Sequence, residues 1–234
     1  MIENRKSQYQ LKSFVRRGKR TPAQRDAYQA WGSEFILPQQ DNLFDEATIF
    51  ERSAPLFVEI GFGTGQSLLA AAKAFGGQHF IGIDVYKSGI GALLMGIKCE
   101  NIPNLRIYEG DAVHFLKENI PDQYLAGVQV FFPDPWPKRR HHPRRLIQAA
   151  FVRLIATKLK TGGIFHLATD WEDYAIHMMS VLANESALFN LVGKNQFATR
   201  SPYRPVLSKF ERRAIKEGRK IWDLQFAKVP THES

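Results

Sequence analysis

Between residues 56 and 170, short apolar runs alternate with helix-forming stretches five times, and this rhythm constrains the fold more than any other feature. "LFVEIG" (56–61) reads as a strand ending on glycine, and "QSLLAAAKAF" (66–75) as a helix stopped by Gly76-Gly77. "HFIGIDV" (79–85) is a second strand, "SGIGALLMGIKCEN" (88–101) a helix loosened by glycines, and "LRIYEGD" (105–111) a third strand. "AVHFLKENI" (112–120) is a short helix and "LAGVQVFFPD" (125–134) a fourth strand. "RRLIQAAFVRLIATKLKTGG" (144–163) places Leu146, Ala149, Ala150, Val152, Ile155 and Leu159 at helical spacing, and "IFHLATD" (164–170) is a fifth strand. "WEDYAIHMMSVLANES" (171–186) and "LSKFERRAIKEGR" (207–219) read as helices, and "KIWDLQFAKV" (220–229) as a closing strand. Residues 26–52 give no clear period. Such alternation predicts α/β architecture: a doubly wound, mostly parallel sheet with helices on both faces. One such domain is expected over 26–234, preceded by a mobile basic arm over 1–25.

The turn after the first strand, "EIGFGTG", carries Gly61, Gly63 and Gly65. Glycines there allow a tight turn and let backbone approach a ligand at a helix N-terminus. The spacing is not the dinucleotide G-x-G-x-x-G, since Gln66 and Ser67 follow Gly65. Alone it means no more than a tight strand-to-helix turn. Three acids sharpen it. Asp84 closes the second strand, where a carboxylate can accept two hydrogen bonds from ribose hydroxyls. Asp111 ends the third strand, where an adenine would lie. Glu59 precedes the glycines, where an acid would repel a pyrophosphate but suit a cationic group. Each acid alone is more simply a helix cap or a solvated loop residue. Together they favour an adenosine-containing sulfonium, S-adenosylmethionine, over NAD.

Charge placement adds a second constraint. Residues 1–25 hold eight Lys/Arg against one acid, 138–145 five against none, and 200–220 eight against two. That leaves 11 Lys/Arg against 20 acids elsewhere, so the net charge of +9 is gathered into three segments. Clustered basic charge suggests contact with a polyanion, with solvated basic faces as the plain alternative. The single cysteine, Cys99, forms no internal disulfide and fits a reducing cytoplasm. No signal-peptide pattern and no run of membrane-span length occurs, so no membrane association is expected. His141 and His142 are adjacent, without Cys or acid at ligand spacing, and no metal site is expected.

Between these features lies "FFPDPWPKRRHHPRR" (131–145). Pro133 and Pro135 restrict Asp134, holding one carboxylate at the end of the fourth strand, at the mouth of a positive field. Such a carboxylate could accept from N1–H and the amino group of guanine; adenine has no donor at N1.

"VEIGFGTG", "GIDV", "GDA", "FPDPWPKRRHHPRR" and "RPVLSKFERR", with "SFVRRGKR" near the start, resemble the bacterial tRNA (guanine-N7)-methyltransferases, a family of class I S-adenosylmethionine-dependent methyltransferases. The resemblance implies a Rossmann-like methyltransferase domain, S-adenosylmethionine as cofactor, and guanine-46 of the tRNA variable loop as target. It implies that Glu59, Asp84, Asp111 and Asp134 hold the cofactor beside the glycine loop, with Asp134 also catalytic. Lys138, Asp170, Ser208, Lys209, Phe210 and Glu211 are implied as substrate contacts, and Arg140, His141, His142, Arg144 and Arg145 as an RNA-binding segment. Asp84 stands where Glu is common in the family, shortening the reach to ribose, and Ser208 replaces a common Thr. Other readings are an exocyclic-amine methyltransferase, for which the aromatic of "DPWP" comes one place early, a non-catalytic RNA-binding protein, and a small-molecule methyltransferase. A monomer or weak homodimer without an obligate protein partner, in the cytoplasm, is expected.

Overall fold

A computed structural model of the chain describes residues 19–39 and 43–230. Its strands are β1 (Leu56–Ile60), β2 (His79–Asp84), β3 (Leu105–Glu109), β4 (Leu125–Phe131), β5 (Leu159–Thr169), β6 (Leu188–Asn190) and β7 (Trp222–Lys228). The helices are α1 (Pro22–Phe35), α2 (Glu46–Phe50), α3 (Gln66–Ala74), α4 (Lys87–Glu100), α5 (Ala112–Glu118), α6 (Ala149–Lys158), α7 (Glu172–Ala183) and α8 (Lys209–Lys216). One seven-stranded sheet runs β3-β2-β1-β4-β5-β7-β6. The first five strands are mutually parallel, and β7 is antiparallel to both β5 and β6. Strand order reverses between β1 and β4. In open parallel sheets the crevice at such a reversal, outside the carboxyl ends of the strands, is where ligands bind.

Two apolar clusters cover the two faces. Phe57 and Phe80 point to one, with Leu68 of α3 and Leu93 and Leu94 of α4. Val58, Ile81 and Val130 point to the other, with Phe151 and Ile155 of α6 and Met178 of α7. Burial on both faces explains why the parallel strands read as unbroken apolar runs. The glycines of α4 serve close packing, where the sequence suggests a loosened helix. A Cβ on Gly89 would lie 1.8 Å from the carbonyl oxygen of Gly63, so only glycine lets α4 seat against the β1–α3 turn.

Two elements depart from the sequence reading. Helix α1 falls partly in the expected arm. Its first turn, residues 22–25, has Pro22 at the start, Thr21 as N-cap and a reciprocal capping box with Gln24. It packs along α4, where Gly91 leaves room for Gln24. The T-P-A-Q signal was present in the sequence, but the few apolar residues behind it hid the helix. Residues 1–18 of the expected arm, including most of "SFVRRGKR", lie outside the described residues.

The long helix expected over 144–163 is divided into three parts. A 3₁₀ helix spans Arg139–Arg144, residues 145–148 run extended into α6, and Leu159 already begins β5. Tertiary bonds hold the extended link: Ile147 N–H donates to the Tyr174 hydroxyl at 3.1 Å, and Arg145 is tied to Asp173. The periodicity of 146–159 therefore overstates the helix. Leu159, counted as its last apolar position, pairs in parallel with Leu125 before the register shifts by Gly127.

Candidate active site

The carboxyl ends of β1, β2, β3 and β4 deliver the predicted acids to one crevice. Two adjoining cavities, of about 560 and 280 Å³, share Gly61, Asp84, Phe132, Asp134 and Trp136. Glu59, Gly63, Ser208, Lys209 and Phe210 line the larger; Asp111 and Arg144 line the smaller. Gly65 lines neither. It caps α3 with φ 73°, and a Cβ there would meet Leu93 at 2.7 Å.

Asp84 is oriented by backbone. Its Oδ2 accepts from Gly63 N–H at 2.8 Å, and its Oδ1 from Val85 and Tyr86 N–H at 2.7 and 2.9 Å. Gly61 and Gly63 have φ of 76° and 61°, which brings the Gly63 amide onto that carboxylate. A carboxylate offers about four acceptor sites, so one remains for a ligand hydroxyl, not the two expected from sequence. Asp111 divides its carboxylate in the same way: Oδ1 accepts from His114 N–H at 2.8 Å as the cap of α5. Its cap role and its place in the smaller cavity are compatible.

Glu59 is the least ordinary of the acids. It is 4% exposed, and its Oε2 has no partner among the described residues. Burial, then the charge of Asp84, pushes its carboxyl up to about 8, with Arg204 acting in the other direction. Such an acid keeps its proton in the fold at pH values where the unfolded chain has lost it. The associated stability is complete below about 4.5 and is lost as pH rises through about 8. Glu59→Gln preserves the neutral shape, so it should melt with wild type near pH 5 and above wild type by pH 9. A difference in melting temperature that stays constant with pH would show that Glu59 does not titrate in this way.

Asp134 is exposed and makes no hydrogen bond or ion pair among the described residues. It stands between two strained aromatics: Phe132 and Trp136 have φ of 53° and 45°, in the left-handed region that bulky side chains avoid. Such strain persists where surrounding structure over-determines it. Here Phe132 N–H is bonded to Ala168 O at 2.8 Å, and Pro135 O accepts from Arg145 Nε at 2.9 Å.

A buried ionic cluster behind the larger cavity escaped the sequence reading. Arg204, 1% exposed, donates from Nη2 to both Asp223 oxygens at 2.7 and 2.6 Å and from Nη1 to Glu211 at 3.0 Å. His166 Nε2 meets Asp223 at 2.9 Å. Glu211 also accepts from Ser208 N–H at 2.8 Å, closing a capping box on α8. One guanidinium thus ties β7 to the start of the helix that carries Lys209 and Phe210. Strand pairing places Glu59, Gln129 and His166 side by side on the same sheet face.

A family model described as "Putative methyltransferase" matches residues 53–224. The tRNA (guanine-N(7)-)-methyltransferase of Alcanivorax borkumensis is 46% identical over 97% of this chain and 95% of its own length. The chain belongs to the tRNA (guanine-N7-)-methyltransferase family. The protein of that name from Hydrogenovibrio crunogenus is 44% identical over 94% of this chain and 91% of its own length. Among solved structures, the 16S rRNA methyltransferase KamB aligns with TM-score 0.58 at 14% identity, covering 84% of this chain and 99% of its own. A 30S ribosomal A1408 methyltransferase from an uncultured bacterium aligns with TM-score 0.54 at 16% identity, over 83% of this chain and 99% of its own. These two show the Rossmann-like methyltransferase fold, and the sheet order and crevice agree with it.

Within this family frame, two implied contacts need correction. Glu211 is 0% exposed and bonded to Arg200, Arg204 and the Ser208 backbone, so it shapes the substrate segment from behind. Arg145 is 3% exposed, bonded to Pro135 O and Asp173, with its guanidinium 4.8 Å from the Tyr174 ring centroid. It anchors the Asp134 loop and cannot also face RNA. Asp170 accepts from Arg219 at 3.1 and 2.7 Å and lines neither cavity. Lys138 and Arg140 are exposed beyond the crevice, while Arg144 lies 5.2 Å from the Trp136 centroid at its rim. His141 is half-buried with its ring nearly perpendicular to that of Trp136, and burial, then Arg144, lowers its pKa. His142 Nε2 lies 3.1 Å from Arg145.

The crevice fits the family's cofactor. Glu59 Oε2 is buried and without a partner among the described residues; a cation beside it would favour the ionised carboxylate, which suits the ammonium of S-adenosylmethionine, and Asp84 and Asp111 retain acceptor capacity for hydroxyl and amino groups.

Proposed function

We propose that this chain transfers the methyl group of S-adenosylmethionine to N7 of a guanine in tRNA, with guanine-46 of the variable loop as the target. The carrying observation is the position of Asp134: an unbonded carboxylate, held between prolines, at the junction of the two cavities. Family membership at 46% identity over nearly the whole chain supports the same reading.

When bound, S-adenosylmethionine supplies an electrophilic methyl group on a sulfonium. Glu59 would receive its ammonium, with Asp84 and Asp111 on its nucleoside. Guanine N7 has an available lone pair, so no proton need be removed before attack. The protein's work is then alignment and electrostatic support of a moving positive charge. Asp134 accepts from the N1–H and amino group of guanine and selects it over adenine. The target nucleotide must lie in a loop or be turned out of its stack to enter. Lys138, Arg140, Arg144 and Lys209 hold the phosphates around it. His141 lies against Trp136 at that surface, and the cytoplasm is the compartment where these contacts operate.

Nucleoside mass spectrometry of tRNA incubated with the protein and S-adenosylmethionine tests the activity; digestion to oligonucleotides locates the site. Methylation on an exocyclic amine, or none, would refute the proposal. The basic surface has its own signature. Phosphate contacts each add about 0.7–0.9 to the slope of log affinity against log salt. Arg140→Ala with Arg144→Ala should flatten that slope by about one to two units. Arg145→Ala should leave the slope near wild type and lower the melting temperature. An unaltered slope in the Arg140/Arg144 variant would remove those side chains from the RNA surface.

A further inference from the structure

Phe210 lies on the first turn of α8, 49% exposed, and lines the larger cavity. The helix around it, KFERRAIK, is strongly polar, so an exposed aromatic there is not explained by core packing. Facing it is Phe132, whose left-handed backbone departs from the extended course of β4. The two rings are inclined by only 16°, with centroids 6.3 Å apart. A base occupies about 3.4 Å in a stack, so two aromatic planes that enclose one stand near 6.8 Å apart. The 6.3 Å between centroids combines plane spacing with lateral offset, so Phe210, exposed on α8, must draw back or slide to admit a base.

Both rings are referenced to one buried group. The Arg204 guanidinium lies 5.6 Å from the Phe132 centroid, and through Glu211 and the capping box at Ser208 it fixes the helix carrying Phe210. Asp134 follows Phe132 by two residues and lines the same cavity. Asp134 thus stands in the same cavity as both rings, within reach of the edge of a purine held there.

We infer that Phe132 and Phe210 form a two-sided stacking slot that grips the target base and sets its plane against Asp134. The inference rests on the tRNA guanine-N7 reading above and assigns the step that reading leaves open, the capture of the extruded base. Stacking is tolerant of base identity, so the slot supplies grip while Asp134 supplies discrimination.

The test uses Phe210, whose exposure makes replacement compatible with folding. Single-turnover methylation of a tRNA transcript is measured over a range of protein concentrations for wild type, Phe210→Leu and Phe210→Trp. Phe210→Leu should lower the single-turnover rate divided by the half-saturating concentration about five- to a hundredfold, and Phe210→Trp should retain it within about threefold. A transcript with thienoguanosine at the target position, a fluorescent guanine analogue that keeps N1–H and the 2-amino group, gives a second readout. Its emission should stay quenched on wild type and Phe210→Trp and rise on Phe210→Leu. If Phe210→Leu matches wild type in rate and emission while wild type still yields N7-methylguanine, the slot is refuted and the functional reading stands. If wild type yields no N7-methylguanine, both are refuted.

Discussion

Asp134→Asn lowers the single-turnover rate of methyl transfer by about a hundred- to a thousandfold, the effect of removing one preorganised polar group from a reacting centre. Affinity for tRNA changes by no more than about twofold, because phosphate contacts dominate it. The amide keeps one acceptor, loses the charge, and turns donors toward guanine's own donors; Asp134→Ala loses both oxygens and falls at least as far. Nothing else bonds this carboxylate among the described residues, so the fold should not depend on it. Melting temperatures of both variants should remain near wild type. Saturating cofactor keeps the titration of Glu59 out of the profile, and the single-turnover rate then shows no titrating limb between about pH 6.5 and 8.5. A general base would leave one. A wild-type limb that vanishes in Asp134→Asn would overturn the base-free mechanism and restore the exocyclic-amine alternative. The methylation step must be followed directly, since product release can mask it.

Arg204→Met lowers the melting temperature by about 6–20 °C, from the roughly 3–5 kcal/mol that accompanies loss of one partner from a buried ion pair in a chain of this size. The cause is the pair of carboxylates left behind. Glu211 and Asp223 are both buried and both depend on that guanidinium. Asp223→Asn added to Arg204→Met removes one stranded charge and should recover part of the loss, because residues in one network do not act additively. The single variant should also raise the tRNA concentration needed for half-maximal rate, since the start of α8 is no longer held to β7. A melting temperature equal to wild type in Arg204→Met would mean that the cluster contributes nothing to the fold.

The contrast between neighbouring residues shows where sequence reading succeeded. Glu59, Asp84, Asp111 and Asp134 were legible because the alternation of strand and helix locates strand ends, and strand ends in a parallel sheet share one edge. Only local periodicity and turn chemistry are needed for that inference. The acceptor capacity of those acids was not legible. Asp84 gives two of its four sites to the N–H groups of Val85 and Tyr86 that follow it and a third to Gly63 N–H, and that third bond depends on how the glycine turn folds back over β2.

Arg144 and Arg145 are adjacent and identical in type, yet one reaches the crevice rim and the other is buried against Asp173 and Tyr174. No property of the run "KRRHHPRR" separates them. Arg145 finds Asp173 and Tyr174 on α7, nearly thirty residues on in the chain, while Arg144 lies over Trp136. Arg204 reads as one charge of the basic segment 200–220, Glu211 as an implied substrate contact and Asp223 as part of the closing strand, yet all three are buried together because β7 returns antiparallel beside β5. By itself the sequence determined the α/β order, the crevice and the acids along it, because these follow from chain-local pattern. Tertiary structure alone decided which charges face the ligand and which hold the walls, because burial is settled by what packs against a residue from distant parts of the chain.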